Sequence, residues 1–334
     1  MKRFLCLFLA LAFTMGLFAI DVNITKRSGS SSDNSQDIKV EITEFLDKVS
    51  DLEKLNTYLA NTGAIMSRGL GVDYANTDFK YFMLGFSNTL AVTPGNDLKK
   101  TIEEFNNFSE GGDIAAIAPG IANSLTLGLD MHYVPVDILK DFKFYINVFH
   151  LNEKAFSSLI GPDSNVQFAA TSFGLHFLYP VIKPISFKSK HLFYWGGINV
   201  SGGLDYVSNE ISYSYTNTDP NIDARAELVN RIFTLPIEVS TNVRLLHIFS
   251  LFAGLGTDFN FGKAYVKADG TVIEDTNVYD LDVNFGKDGR PHFMGFRAFT
   301  GLEINLYVIH VMGKIEYSVF SKSLAAQVGF SLGY

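Results

Sequence analysis

The chain has 334 residues, with 27 basic and 35 acidic side chains, 30 phenylalanines, 15 tyrosines, 28 glycines and one cysteine. A formal net charge of −8 argues against nucleic acid as a partner, and a single cysteine excludes a disulfide-stapled module. Apolar residues form 47% of the chain, yet beyond its first positions no run of about 18 of them occurs, which excludes helical membrane spans.

At the start, Lys2 and Arg3 lead into the apolar run Phe4 to Phe13, and Leu17-Phe18-Ala19 offers a small residue for cleavage. This layout predicts a secretory signal peptide over residues 1–19. The apolar run is short for a membrane anchor, and Cys6 lies too early for lipidation. Cleavage near Ala19 removes Lys2, Arg3 and Cys6, leaving 25 basic and 35 acidic side chains and no cysteine.

Residues 20–36 are polar and serine-rich, which reads as a flexible linker. Residues 38–60 then take helical spacing. Ile42, Phe45, Val49, Leu52 and Leu59 share a face, surrounded by Glu44, Asp47, Lys48, Asp51 and Lys54. Such an amphipathic helix ahead of a barrel can plug the lumen, lie on the membrane or bind a partner. Residues 61–75 continue directly toward a strand, which favours a plug with Phe45, Val49 and Leu52 on its packing face. The expected layout is therefore a signal peptide (1–19), a linker and plug segment (20–66) and a barrel (67–334).

From Asn123 onward apolar residues recur at every second position, the strand period. Leu125, Leu127, Leu129, Met131 and Tyr133 share one face. Phe233, Leu235, Ile237, Val239 and Val243 do the same, opposed by Thr234, Glu238, Ser240, Asn242 and Arg244. Phe249, Leu251, Ala253, Leu255, Phe259 and Phe261 oppose Ser250, Phe252, Gly254, Gly256, Asp258 and Asn260. Further strands are expected at 67–75, 79–91, 141–151, 166–179, 191–207, 291–306, 308–320 and 323–334. With the three just described, eleven are predicted.

Strands of about ten residues with one continuous apolar face suit a membrane barrel better than a soluble sandwich. The connections support this, since long ones (92–121, 152–165, 208–229, 263–290) alternate with short ones. The long connections would face outward. Tyr133, Phe142, Tyr179, Phe193, Tyr194, Tyr307 and Tyr334 would form an aromatic girdle at the periplasmic end. Eleven is odd, whereas single-chain barrels are usually even, so the predicted fold is an all-β antiparallel transmembrane β-barrel of about twelve strands, within about ten to fourteen.

Within the long connections, residues 97–108 read as a short helix, either a lid over the mouth or a segment packed on its neighbours. The 263–290 connection carries Asp269, Glu274, Asp275, Asp280, Asp282 and Asp288 without EF-hand spacing, which reads as a solvated acidic loop. The seven histidines show no metal spacing, and His132, His176, His191 and His310 fall on the polar face. No metal or cofactor is expected. Candidate lumen-lining residues are Trp195, Phe252, Arg297, Glu303, Lys314 and Glu316, joined by the inward aromatics Phe149 and Phe299. A two-residue turn at Leu306-Tyr307 would set Arg297 opposite Glu316. Gly329-Phe330-Ser331-Leu332-Gly333 matches a nucleophile-elbow pattern, but an elbow needs a helix after the serine and only three residues follow Ser331. No enzyme is expected.

Gly329, Phe330, Leu332 and the terminal Tyr334 resemble the C-terminal assembly signal of Gram-negative outer-membrane β-barrel proteins. An N-terminal plug followed by "SRGLGVDYA" (Ser67 to Ala75) is weakly similar to the long-chain fatty-acid transporter (FadL-like) family. The resemblance implies export to the outer membrane of a diderm bacterium, with outer-membrane lipids, the barrel-assembly machinery and a hydrophobic small-molecule ligand as partners. The function expected is a narrow or plugged conduit for passive uptake of small hydrophobic or amphipathic molecules. The alternatives are a structural or adhesive surface protein with a closed lumen, and a soluble sandwich enzyme or lectin.

Overall fold

The computed structural model describes residues 21–28, 49–50, 54–67, 72–75, 79–94, 114–115, 117–153, 164–186, 193–218, 221–246, 248–274, 277–284 and 288–333. Alternating sequence becomes strand as expected. Ten long strands follow in chain order: β1 (Phe82–Pro94), β2 (Ile117–Asp130), β3 (Lys143–Glu153), β4 (Ser164–Ile182) and β5 (Phe193–Thr218), then β6 (Asn221–Leu245), β7 (Phe249–Glu274), β8 (Met294–Leu306), β9 (Ile309–Ser318) and β10 (Ser323–Gly333).

Each pairs antiparallel with its chain neighbour, and β10 returns to β1, with Leu324 opposite Val92 and Gly333 opposite Met83. The sheet is a closed ring, which leaves no edge in the wall. Of the predicted strand at 67–75, Ser67 ends the interior helix, residues 72–75 are irregular and buried inside the ring, and 68–71 lie outside the described residues.

Two faces separate cleanly in the lower wall. On β7, Phe249, Leu251 and Leu255 point outward and are about half exposed, while Ser250, Phe252, Asp258 and Asn260 are buried inward. The same division holds on β9, with Val311, Ile315 and Tyr317 outside and His310, Lys314 and Glu316 inside. Apolar outside and polar inside reverses a soluble fold and suits lipid. From Phe249 to Phe261 the outer row of β7 spans twelve steps of about 3.3 Å, or about 28 Å at a tilt near 45°. That matches a bilayer's apolar thickness.

Aromatic rings mark the upper edge of this belt. Phe173, Tyr206, Phe233 and Phe261 lie directly opposite one another across β4 to β7. One register step higher, on the outer face, stand Ser208, Arg231 and Lys263. At the opposite end, Phe142 packs on Tyr179 with centroids 4.9 Å apart, and Tyr133 and Tyr307 are exposed. Tyr194 departs from the expected girdle, because it pairs with the inward Arg244, whose guanidinium lies 5.4 Å above its ring. Tyr334 lies outside the described residues.

Two expected loops are strand instead. Residues 208–218 and 221–229 continue β5 and β6 as one hairpin, and residues 263–274 continue β7. A further strand, Asn277–Asn284, pairs with that upper part of β7, and Asp21–Ser28 pairs with it in turn. The predicted linker therefore begins as the outermost strand of a sheet raised above the belt. There the polarity inverts: Ala226, Leu228, Val266, Ala268 and Tyr279 are buried inward, while Arg225, Lys267 and Asp269 are exposed on the outer face. With water replacing lipid outside, the ordinary arrangement of a soluble sheet returns.

Candidate functional site: the barrel interior

Among the described residues the interior holds one helix, α1 (Leu55–Met66), which overlaps the predicted 38–60 only at its end; residues 38–48 and 51–53 lie outside the described residues. Phe45 and Leu52 lie outside the described residues. Val49 is not helical, since Val49–Ser50 pairs in parallel with Ile114–Ala115. The predicted helix at 97–108 also lies outside the described residues.

Ten of the twelve residues of α1 are buried, polar ones included. A helix enclosed on all sides has no wet face, and its polar groups must bond to the wall. Asn56 Oδ1 accepts from Val266 N–H at 3.1 Å, and Asn61 Oδ1 accepts from His292 N–H at 2.8 Å. Thr62 Oγ1 lies 2.6 Å from the Ala118 carbonyl oxygen, and Asn230 Nδ2 donates to the Leu59 carbonyl at 2.8 Å. The approach is close enough to require glycines. A Cβ on Gly289 would collide with the Asn56 backbone, and one on Gly63 with the Asn230 amide.

Below α1 the chain continues as a strap through the middle of the lumen. Tyr74 donates its phenolic hydrogen to Glu238 Oε2 at 2.6 Å, and its carbonyl accepts from Asn242 Nδ2 at 2.8 Å. Its ring lies against Phe299 and Phe252, at centroid distances of 4.6 and 5.8 Å. Beside it Arg297, fully buried, meets three carboxylates. Its Nη2 pairs with Glu238, its Nε lies 2.9 Å from Asp258 Oδ2, and its Nη1 lies 3.2 Å from Glu316 Oε2. Lys314 adds a second cation 3.1 Å from Glu316, and its ammonium sits 5.5 Å above the Tyr74 ring. Ser201 also donates to Glu238 at 2.6 Å. Buried charges at this density persist only when mutually paired.

The candidate residues fall as follows. Phe252, Arg297, Glu303, Lys314 and Glu316 all face the interior and are buried. Arg297 is directly opposite Ser318, and Glu316 opposite Phe299, because the turn is Tyr307-Val308, one residue later than expected. Arg297 reaches Glu316 diagonally instead. Trp195 is on the outer side, where it pairs with Val243 and donates Nε1–H to Thr241 at 2.9 Å. A bulge between Thr241 and Val243, with Gly197 at φ +76°, reverses the alternation there.

Among the histidines, His176 bonds Asp205 at 2.7 Å and His310 bonds Asn305 at 2.6 Å, both inside. His132, expected in the lumen, sits exposed in the turn after β2. His191 lies outside the described residues. Ser331 is in strand β10, opposite His310. Gly329 is buried, whereas Phe330 and Leu332 face outward at 45% and 42% exposure. Asp269, Asp280 and Asp282 belong to strands rather than a loop, with Asp269 directly opposite Asp282.

The sequence reading missed Tyr74, Glu238 and Asp258 as site residues. Glu238 and Asp258 carried a signal, being ionisable residues on the polar face of a strand. A pocket of about 40 Å³ at the short-turn end is lined in part by Val72, Asp73, Met83, Glu303 and Gln327. That is room for only a few water molecules.

A closed antiparallel ring with an apolar belt, aromatic margins and a charged interior defines a transmembrane β-barrel. The chain belongs to the Lsa36-like family, whose model matches residues 20–332. No curated protein matches the chain. Among solved structures it is similar to the translocator domain of the autotransporter NalP from Neisseria meningitidis, at 11% identity and TM-score 0.36, covering 81% of this chain and 92% of that one. It is also similar to the Pseudomonas putida toluene transporter TodX, at 9% identity and TM-score 0.25, covering 86% and 94%. A major outer membrane protein from Thermus thermophilus is similar at 10% identity and TM-score 0.27, covering 75% and 99%.

Proposed function

We propose that this protein is an outer-membrane barrel of a diderm bacterium whose lumen is sealed by its own chain, and which acts through the sheet raised above the membrane. The observation carrying this reading is the mid-lumen crossing Tyr74–Glu238–Arg297–Glu316–Lys314, with α1 stacked above it. A solute passing through would have to displace both, exposing buried ion pairs that are stable only together. Uptake of a hydrophobic ligand, the leading expectation from sequence, requires that displacement. A surface role does not.

In this reading the outer belt contacts outer-membrane lipids, the tail around Gly329, Phe330 and Leu332 engages the assembly machinery, and no covalent chemistry takes place. Recordings on the purified intact protein in a planar bilayer test it. A sealed lumen gives a flat baseline, and a variant lacking residues 20–75 conducts. Stable conductance steps from the intact protein, or ligand-dependent opening, would return the conduit reading to first place.

A further inference from the structure

The inward row of β6 records how the N-terminal segment runs. Asn230 bonds the Leu59 carbonyl, Thr234 lies 3.4 Å from the Ser67 hydroxyl, Glu238 accepts from Tyr74, Asn242 bonds the Tyr74 carbonyl, and Arg244 Nη2 lies 3.4 Å from the Ala75 carbonyl. As β6 descends from the raised sheet to the short-turn end, its partners advance from 59 to 75. Fourteen residues of strand at about 3.3 Å each span about 33 Å vertically at a tilt near 45°. That is the full depth of the belt.

Both ends of this path are fixed. At the bottom, Phe79 meets Tyr145 edge-on with centroids 6.0 Å apart, Lys143 Nζ donates to the Phe79 carbonyl at 2.7 Å, and β1 starts at Phe82. At the top, Asp21–Ser28 is held by Asn277–Asn284, with Asn23 opposite Asp282 and Thr25 opposite Asp280. That strand is itself paired to β7 above the belt, where Lys267 faces Asn284.

We infer that the chain crosses the membrane once through its own lumen, before its first wall strand, so that Asp21–Ser28 is displayed on the same side as the β5–β6 hairpin. The inference depends on the path of the chain and holds whether or not the lumen conducts. It has a consequence for assembly. The ring closed by the ten-residue ladder from Met83 to Val92 against β10 encircles the segment, so assembly must either close this seam around the segment or thread the N-terminus through the closed ring. It also makes the N-terminal strand, together with Asp269, Asp280 and Asp282, part of the face that an external partner meets.

Single cysteines in a Cys6→Ser background test the path. Thr25→Cys, Asp223→Cys near the top of β6 and Tyr307→Cys in a short turn are expressed in whole cells and treated with a membrane-impermeant maleimide. All three parent residues are exposed. Thr25→Cys is expected to label with Asp223→Cys in intact cells, and Tyr307→Cys only after permeabilisation. Heat-dependent gel migration selects the folded population of each variant. Labelling of Thr25→Cys that follows Tyr307→Cys, or that fails in intact cells while Asp223→Cys reacts, would overturn the inference.

Discussion

The phenol of Tyr74 and the carboxylate of Glu238 are 164 residues apart in sequence and 2.6 Å apart inside the barrel. This bond ties the strap to the wall, and Glu238 passes the connection to Arg297. Replacing Tyr74 by Phe keeps the ring contacts and removes one bond to a buried carboxylate. The expected loss is about 1–3 kcal/mol, read as a lower unfolding temperature in detergent by heat-dependent gel migration. An unchanged midpoint would mean that the bond contributes nothing to the folded barrel.

Arg297 is the more demanding position. Arg297→Met leaves Glu238, Asp258 and Glu316 together without their shared cation, a buried-charge defect that costs about 3–5 kcal/mol. Adding Glu238→Gln and Asp258→Asn to the same chain is expected to recover much of it. The yield of folded barrel in a urea titration measures both. If the triple variant were no more stable than Arg297→Met, the three carboxylates would not be balanced by this arginine.

Gly289→Val addresses the fit of α1. Its side chain would enter the space of the Asn56 backbone, where the wall and helix touch. The variant is expected to keep its strands, by circular dichroism, while the lumen segment becomes open to added protease. Resistance equal to that of the parent would show that α1 tolerates a larger neighbour and is not wedged there.

The belt limits define a depth-dependent prediction. Leu255→Arg places a charge on the lipid face at the middle of the apolar stretch of β7 and is expected to cost about 2–4 kcal/mol. Leu→Arg there should far exceed the effect of Lys267→Leu, on the outer face above the belt. Refolding into lipid vesicles under urea compares them. Equal effects would place the membrane boundary elsewhere.

The wall was legible in sequence because lipid outside and polar groups inside write a two-residue period, clear in Ser250/Leu251 and Lys314/Ile315. The upper parts of β5 to β7 were not. Around Glu210, Ser212 and Ser214 the polar residues take the outer face, where water replaces lipid, so the lipid-facing apolar row that marks the wall can no longer be followed. The helix at 55–66 escaped notice for a related reason. Asn56, Asn61 and Thr62 spread polarity around α1 to satisfy a polar wall, whereas Phe45, Val49 and Leu52 offered the conventional one-sided stripe. Trp195 was misassigned because a single bulge shifts the phase of everything on one side of it, and the glycine pair Gly196-Gly197 was its only mark.

The central claim is that the segment from α1 to Tyr74 is seated within the ring. Ser67 and Thr234 test it most directly, as their hydroxyls are 3.4 Å apart and both residues are fully buried. With Ser67→Cys and Thr234→Cys in a Cys6→Ser chain, oxidation of the folded protein in native membranes should form a disulfide, a reach that small side-chain shifts can meet. It would appear as a reduction-sensitive change in the migration of the denatured chain. If both thiols instead stay reduced and react freely with a maleimide in the folded protein, the lumen does not hold its own chain.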